Sequence, residues 1–460
     1  MPTEKEAAET RKFALAVTTL AAFLSPFGIS SVNIALPSIE KEFLMDAILL
    51  SWVSTSYLLS SAVFLVPLGK IADLYGRKRV FACGIMTFTL ASLGSAFSNS
   101  AFMLIFFRIV QGIGGAAIFC VGATILTSLF PSGELGKVLG INVAAVYLGS
   151  SLGPFLGGLL THHLGWRSIF AVNVLLGLIV TLSIFWKMKG EWYGTEGNGF
   201  DLTGSVIYIV SLSVIMYGFS RLSTLTGVFL VLCGTAGIFA FVRWEIKVEN
   251  PVLDISLFRS NRVFAFSNLA TLVNYSATFA VTFLLSLYLQ YIKKLTAEHA
   301  GLILISQPVV QALVSPFAGK LSDRIEPRIV ASIGMALTGA GLFLLAVLDE
   351  KTAVIFIIMS LAILGFGFAL FSSPTINAVM RSVENRFYGV ASGTLGTMRS
   401  MGMVFSMGIT LLLFSIYIGE VRITPEYYPA FLKCARMGFA FFGVLCLGGI
   451  FASLARGKVR

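Results

Sequence analysis

The sequence predicts an all-α integral membrane protein. Fourteen membrane-spanning helices form two six-helix bundles, with an inserted helix pair between them. Three observations predict this: an apolar composition, fourteen apolar runs of spanning length, and a basic loop that recurs 250 residues after its first appearance.

Of the 460 residues, 57% are hydrophobic and only 12% are charged. Soluble domains carry roughly 25% charged residues. Mean hydropathy is +0.89. These figures exclude a soluble globular protein, a disordered chain and a disulfide scaffold. The five Cys sit in or beside apolar runs without a CxxC pair, so they read as packing residues. The three His (His162, His163, His299) show no ligand spacing with Cys or carboxylates. No cofactor or metal is expected.

A span needs about 20 mostly apolar residues. Runs that meet this cover 13–37, 48–69, 79–98, 101–130, 138–161, 165–186, 202–220, 224–242, 264–291, 300–318, 329–348, 352–373, 388–418 and 431–454. The first run follows the polar segment MPTEKEAAETRK and is too long for a signal-peptide core, so it is expected to stay as the first span. With the N-terminus inside, 22 of the 33 basic residues fall in inner segments and nine in outer ones. Two, Arg108 and Arg399, lie inside spans. The positive-inside rule then places both termini in the cytoplasm of a cell whose plasma or inner membrane holds the chain. The net charge of +11 therefore needs no nucleic-acid partner.

Two inner loops read alike. Gly69-Lys-Ile-Ala-Asp73-Leu-Tyr-Gly76-Arg77-Lys78-Arg79 follows the second span, and Gly319-Lys-Leu-Ser-Asp323-Arg324 follows the tenth. Parallel repeats of helical halves are a transporter architecture, with substrate held between the halves. Six spans with short loops need about 200 residues, so the surplus is the pair at 202–242. The expected organisation is an N-terminal bundle over 1–190, a linker with the inserted pair over 191–262, and a C-terminal bundle over 263–460.

Further motifs carry chemistry. Asp73, at a helix end, can accept charge-assisted hydrogen bonds from Arg77 or from helix N-terminal amides. With Gly69, Gly76, Lys78 and Asp323 it forms a candidate conformational latch. The fourth span carries Arg108-Ile-Val-Gln111-Gly112-Ile-Gly114-Gly115-Ala116. The fifth carries Gly149-Ser-Ser-Leu-Gly153-Pro154-Phe-Leu-Gly157-Gly158, whose glycines at every fourth residue make a smooth stripe for close helix contact.

At these residues the chain resembles the major facilitator superfamily, and within it the fourteen-spanner branch of drug:proton antiporters. The first loop is similar to the family's G-x-L-A-D-x-x-G-R-K signature, the fourth span to R-x-x-Q-G-x-G-A, and the fifth to the exporter-associated G-x-x-x-G-P-x-x-G-G. The resemblance implies a secondary transporter, exporting small amphipathic or drug-like compounds by alternating access. Implied partners are a small-molecule substrate, protons or another coupling ion, and membrane lipid; a monomer is expected. The branch's first-span Asp, five residues before an Asn-x-Ala-Leu-Pro ending, corresponds to Gly28 ahead of Asn33-Ile-Ala-Leu-Pro37. All 22 acidic residues fall in loops or at span ends, where Asp46, Asp201 and Glu245 remain as protonatable candidates.

A charge inside a membrane is a functional hypothesis by default. Arg108 with Gln111, and Arg399 with Met403, each share a helix face. The opposing reading is that both arginines cap carbonyls or snorkel. Asn33, Trp52, Tyr57, Asn274, Tyr275, Gln307 and Gln311 are expected to converge on a cavity. Pro26 and Gly28 are expected to break the first helix. Two deep arginines without a deep acid favour anionic or neutral amphipathic substrates, and leave open a facilitator or importer of such solutes without proton coupling. A receptor-like scaffold is disfavoured by the intact loop signature. An enzyme is disfavoured because no Ser/His dyad, acidic cluster or phosphate-cradling loop is present.

Overall fold

The structure, a computed structural model, describes residues 4–188, 190–193, 199–248, 251, 258–259, 261–322, 324–383 and 388–457. Among the described residues, fourteen helices are long and apolar enough to cross a membrane. They are α1 (Glu4–Phe43), α2 (Ala47–Tyr75), α3 (Arg77–Ala96), α4 (Ala101–Leu129), α5 (Ser132–Leu164), α6 (Arg167–Lys187), α7 (Leu202–Ser220) and α8 (Leu225–Glu245). The second half follows with α9 (Arg262–Leu287), α10 in two pieces (Ala297–Leu304 and Ser306–Ser322), α11 (Pro327–Leu345), α12 (Val354–Arg381), α13 (Tyr388–Tyr417) and α14 (Tyr428–Ala455). Asp323 lies outside the described residues.

Local chemistry sets the helix starts. Side-chain oxygens of Asp46, Ser100, Asp201, Thr224, Asn261 and Thr296 accept from backbone N–H groups in the first turns of α2, α4, α7, α8, α9 and α10. Asp46 and Asp201 are thereby helix caps, which gives these two proton-carrier candidates a structural task.

The breaks differ from expectation. Helix α1 runs unbroken through Pro26 and Gly28, and α5 runs unbroken through Pro154. It is α10 that divides, after Leu304. Pro308 lacks an N–H, and its ring clashes with the carbonyl four residues earlier; that carbonyl belongs to Leu304. Helix α9 ends in a π-helical turn at Tyr288–Ile292.

Packing shows the repeat directly. In the first half α1 packs on α5 and α6, α2 on α4, and α3 on α4 and α6; in the second, α9 packs on α13 and α14, α10 on α12, and α11 on α12 and α14. One glycine crossing recurs as well. A Cβ at Gly114 of α4 would lie 2.7 Å from the Gly84 carbonyl of α3, and a Cβ at Gly367 of α12 would lie 2.7 Å from the Gly334 carbonyl of α11. Gly84 and Gly334 are 250 residues apart, the offset of the two loops. Helices α5 and α10 join the halves on one side, α2 and α13 on the other. The pair α7–α8 packs on itself, and α7 also touches α2 and α13.

The end carrying Arg77, Lys187, Arg262 and Arg381 is called the basic end. The opposite end, carrying Glu40, His163 and Glu298, is called the far end.

Candidate functional site: a cavity between the halves, closed at the far end

Four chambers meet at Arg399 of α13. The widest, about 590 Å³, lies toward the basic end between Leu139 and Tyr147 of α5, Asn377 and Arg381 of α12, and Gly396 of α13. Two narrower ones, of about 60 and 120 Å³, reach deeper, and a third, of about 100 Å³, runs beside the widest along Thr124, Thr127 and Asn142. Asn33, Gln307, Gln311 and Met403 line the 120 Å³ chamber together with Arg399. These five expected residues do converge. No carboxylate lines any of the four chambers among the described residues.

The Arg399 guanidinium lies 5.0 Å from the Tyr275 ring and 5.8 Å from the Tyr147 ring. A guanidinium between aromatic faces is held by cation–π attraction while its donors stay available. The Tyr147 and Ser372 hydroxyls hydrogen-bond at 2.6 Å across the two halves. Asn33 Oδ1 accepts from Ser54 at 2.6 Å. Phe119, Phe279 and Phe368 supply flat apolar walls.

Arg108 and Gln111 do not reach this cavity, and both are wholly buried. Arg108 Nε donates to the Val53 carbonyl at 3.0 Å, and Nη1 to Gln111 Oε1 at 2.6 Å. Gln111 donates onward to Ser92 at 2.7 Å. Tyr57 covers the Arg108 guanidinium at 4.4 Å and bonds Ser25 through its hydroxyl. The glycines beside Arg108 make this possible. A Cβ at Gly112 would lie 2.0 Å from Ser60 Oγ, and one at Gly115 would lie 2.3 Å from the Tyr57 hydroxyl. The fourth-span motif thus seats α4 against α2 and α3. Tyr57 is drawn into this cluster and away from the cavity. Trp52 packs on the main apolar core, and Asn274 is buried within α9; neither lines a chamber.

The glycine stripe of α5 does two jobs. Gly149, Gly153 and Gly157 face α1, where added Cβ atoms would lie 2.4–2.7 Å from Phe23, Ser30 and Ser31. Gly158 faces the other half, and its Cβ would lie 2.4 Å from the Ala297 carbonyl of α10. A Cβ at Gly301 would lie 2.2 Å from the Pro154 carbonyl. The backbones of α5 and α10 therefore touch at the far end.

Other contacts seal the same end. Ser286 donates to the Asn33 carbonyl at 2.8 Å, Gln290 to the Ile34 carbonyl at 2.9 Å, and Ala47 N–H to the Val421 carbonyl at 3.0 Å. Arg422 Nε donates to the buried Glu40 carboxylate at 2.8 Å, and Tyr291 donates to it at 3.4 Å. Sequence reasoning missed Glu40–Arg422, because 382 residues separate the partners and no motif frames either. It also found no ligand set among the histidines. The structure brings His162 and His163 beside Glu298, a residue of the other half.

At the basic end Asp73 Oδ1 accepts from Arg77 at 2.8 and 2.9 Å. Arg77 reaches on to the Thr124 carbonyl and Ser128 of α4. Lys78 N–H donates to Glu191 at 2.7 Å. Gly76 has φ +111, and a Cβ there would lie 2.7 Å from Glu191 Cδ, so only glycine fits the turn. This loop is tied within the first half. Gly69 stands on the same stretch of α2, with Cys120 of α4 as the nearest neighbour of an added Cβ.

Comparison with known proteins agrees with this geometry. Residues 18–192 and 268–458 match the model of the Major Facilitator Superfamily, leaving α7 and α8 between the two matched segments. The riboflavin transporter RibZ of Clostridioides difficile is 28% identical over 95% of both chains. The multidrug resistance protein Stp of Mycobacterium tuberculosis is 30% identical over 87% of this chain and 75% of its own. A bacterial homologue of the human lysosomal transporter Spinster, solved inward-facing and unoccupied, superposes with a TM-score of 0.69 at 14% identity, covering 97% of each chain. The chain is a multi-pass membrane transporter and belongs to the major facilitator superfamily.

Proposed function

We propose that the protein is a secondary active exporter of small amphipathic or drug-like compounds, working by alternating access between the two halves. The observation that carries this reading is Arg399, held between Tyr147 and Tyr275 where four chambers meet. A cationic fork beside flat aromatic walls, with no carboxylate lining among the described residues, suits an amphipathic substrate that presents an anionic or hydrogen-bond-accepting edge. The far end is sealed by backbone contact, while the widest chamber lies toward the basic end. With the basic end in the cytoplasm, as the charge bias requires, this is a state that loads from inside the cell. The multidrug name of one relative favours export.

A second reading is a facilitator or importer of neutral or anionic solutes without proton coupling. Gly28 in place of an acid favours it, as does the relative named for riboflavin, a neutral heteroaromatic. Everted and right-side-out membrane vesicles decide between them. Export predicts accumulation of an amphipathic anion in everted vesicles with an imposed proton gradient, abolished when the gradient is collapsed. Equal, gradient-independent equilibration in both orientations would support the facilitator and end the exporter reading.

A further inference from the structure

We propose a transition-metal site at the far end, formed by His162, His163 and Glu298, whose ligation by Zn²⁺ clamps the two halves together. His162 and His163 end α5, in the first half. Glu298 stands in the first turn of α10, in the second. One nitrogen from each imidazole and one Glu298 oxygen all lie within 4.8 Å of one another. His163 Nε2 is 3.5 Å from Glu298 Oε2, and the two imidazole centroids are 4.9 Å apart.

Two imidazoles and one carboxylate are a borderline-soft donor set. It matches Zn²⁺ at bonds of about 2.0–2.2 Å, with a fourth position left for water. The same set disfavours Mg²⁺ and Ca²⁺, which take oxygen ligands. Tetrahedral ligation at those bond lengths requires donor separations of roughly 3.3–3.6 Å, so small side-chain rotations of exposed groups complete the site. His299, nearby in sequence, is engaged instead with Thr296 Oγ1 at 2.7 Å.

The position of the site gives it a consequence. Immediately beside it, Gly158 and Ala297 bring the α5 and α10 backbones into contact. Parting the halves at this end would carry the histidines away from Glu298. A metal that needs all three ligands therefore binds one conformation of the transporter more tightly than the other. That difference in affinity is what shifts a conformational equilibrium. Zn²⁺ from the far side is expected to hold the far end shut and arrest the cycle.

The test uses the full-length protein, purified in detergent and stripped with a chelator, so that it needs no known substrate. Zn²⁺ in excess is expected to raise Tm by about 3 °C or more, while Mg²⁺ does not. Titration calorimetry is expected to show a Zn²⁺ binding event in the wild type that is missing from H162A/H163A and from E298Q. His162 and His163 are exposed and Glu298 is half-buried, so these variants are expected to fold; H299A is expected to bind as wild type does. Hydrogen–deuterium exchange reads the clamp itself, with Zn²⁺ expected to slow exchange in the segments 158–166 and 293–301 together. Absence of a Zn²⁺-induced Tm shift, or an unchanged shift in the double variant, would overturn the site. Protection of 158–166 alone would overturn the bridge between the halves. None of these readouts depends on what Arg399 binds.

Discussion

Arg108 and Arg399 are both arginines inside the membrane, and they do opposite things. Arg108 is wholly buried in the first half, with its guanidinium spent on the Val53 carbonyl, Gln111 and the Tyr57 ring. Arg399 stands in the cavity between the halves, flanked by the Tyr147 and Tyr275 rings. The contrast teaches that intramembrane charge marks two different kinds of site. A charge whose hydrogen bonds are made to its own bundle holds helices together. A charge left open to a chamber is available to a ligand.

Substitutions can break or sharpen that contrast. The largest effect is expected from Arg108→Ala. It strands the buried Gln111 amide oxygen, at roughly 1–3 kcal/mol for such an orphan, and empties the space under the Tyr57 ring. The expected outcome is a large fall in Tm and in recovered protein, read by thermal unfolding in detergent. A normally stable Arg108→Ala would move Arg108 out of the structural class. Arg399→Ala is expected to leave Tm unchanged and to weaken binding of an amphipathic anion by about 10–100-fold, because hydrogen bonds to charged groups are worth about 1.5–3 kcal/mol. Titration calorimetry measures it.

A smaller effect is expected at the basic end. The Asp73–Arg77 pair is partly exposed, with side chains at 40% and 16% of full exposure. Pairs of this kind contribute about 0–1 kcal/mol. Asp73→Asn should therefore barely move Tm while slowing transport severalfold, if the loop acts as a latch. Unchanged transport with normal expression would end the latch reading.

The smallest effect sharpens the comparison with a third arginine. Arg456, just past α14, is wholly buried, and none of its three nitrogens has a hydrogen-bond partner among the described residues. Burial pulls its guanidinium down to about 10, with Glu326 opposing the shift. A base whose folded value is depressed costs stability at all pH values below its unfolded value, hence throughout the physiological range. Arg456→Met is accordingly expected to leave Tm unchanged or to raise it slightly. A marked fall would show that Arg456 is engaged in a way the geometry does not display.

The repeat and the fourteen spans were legible because they depend on local composition and on a loop that recurs at a fixed offset. Asn33, Gln307, Gln311, Arg399 and Met403 were legible as polar or adaptable residues in otherwise apolar runs. Tyr57 was misplaced for a physical reason: once Gly112 and Gly115 open a groove in α4, the tyrosine drops into the bundle instead of the cavity. The break in α10 has its sequence signal in Pro308, whereas α1 absorbs Pro26 without breaking. Glu40–Arg422 and the His162–His163–Glu298 group could not be read from sequence. Their partners lie in different halves, and only the closed far end brings them together.

The central claim is that Arg399 marks the substrate site. Its most direct test is a thermal-shift screen of wild type and Arg399→Ala against amphipathic anions, neutral heteroaromatics including riboflavin, and lipophilic cations. A ligand at about 100 times its Kd stabilises by about 2.7 kcal/mol, which is readily seen. Anions or neutral heteroaromatics are expected to stabilise the wild type and to lose that effect in Arg399→Ala. Stabilisation by lipophilic cations, undiminished in Arg399→Ala, would contradict the claim.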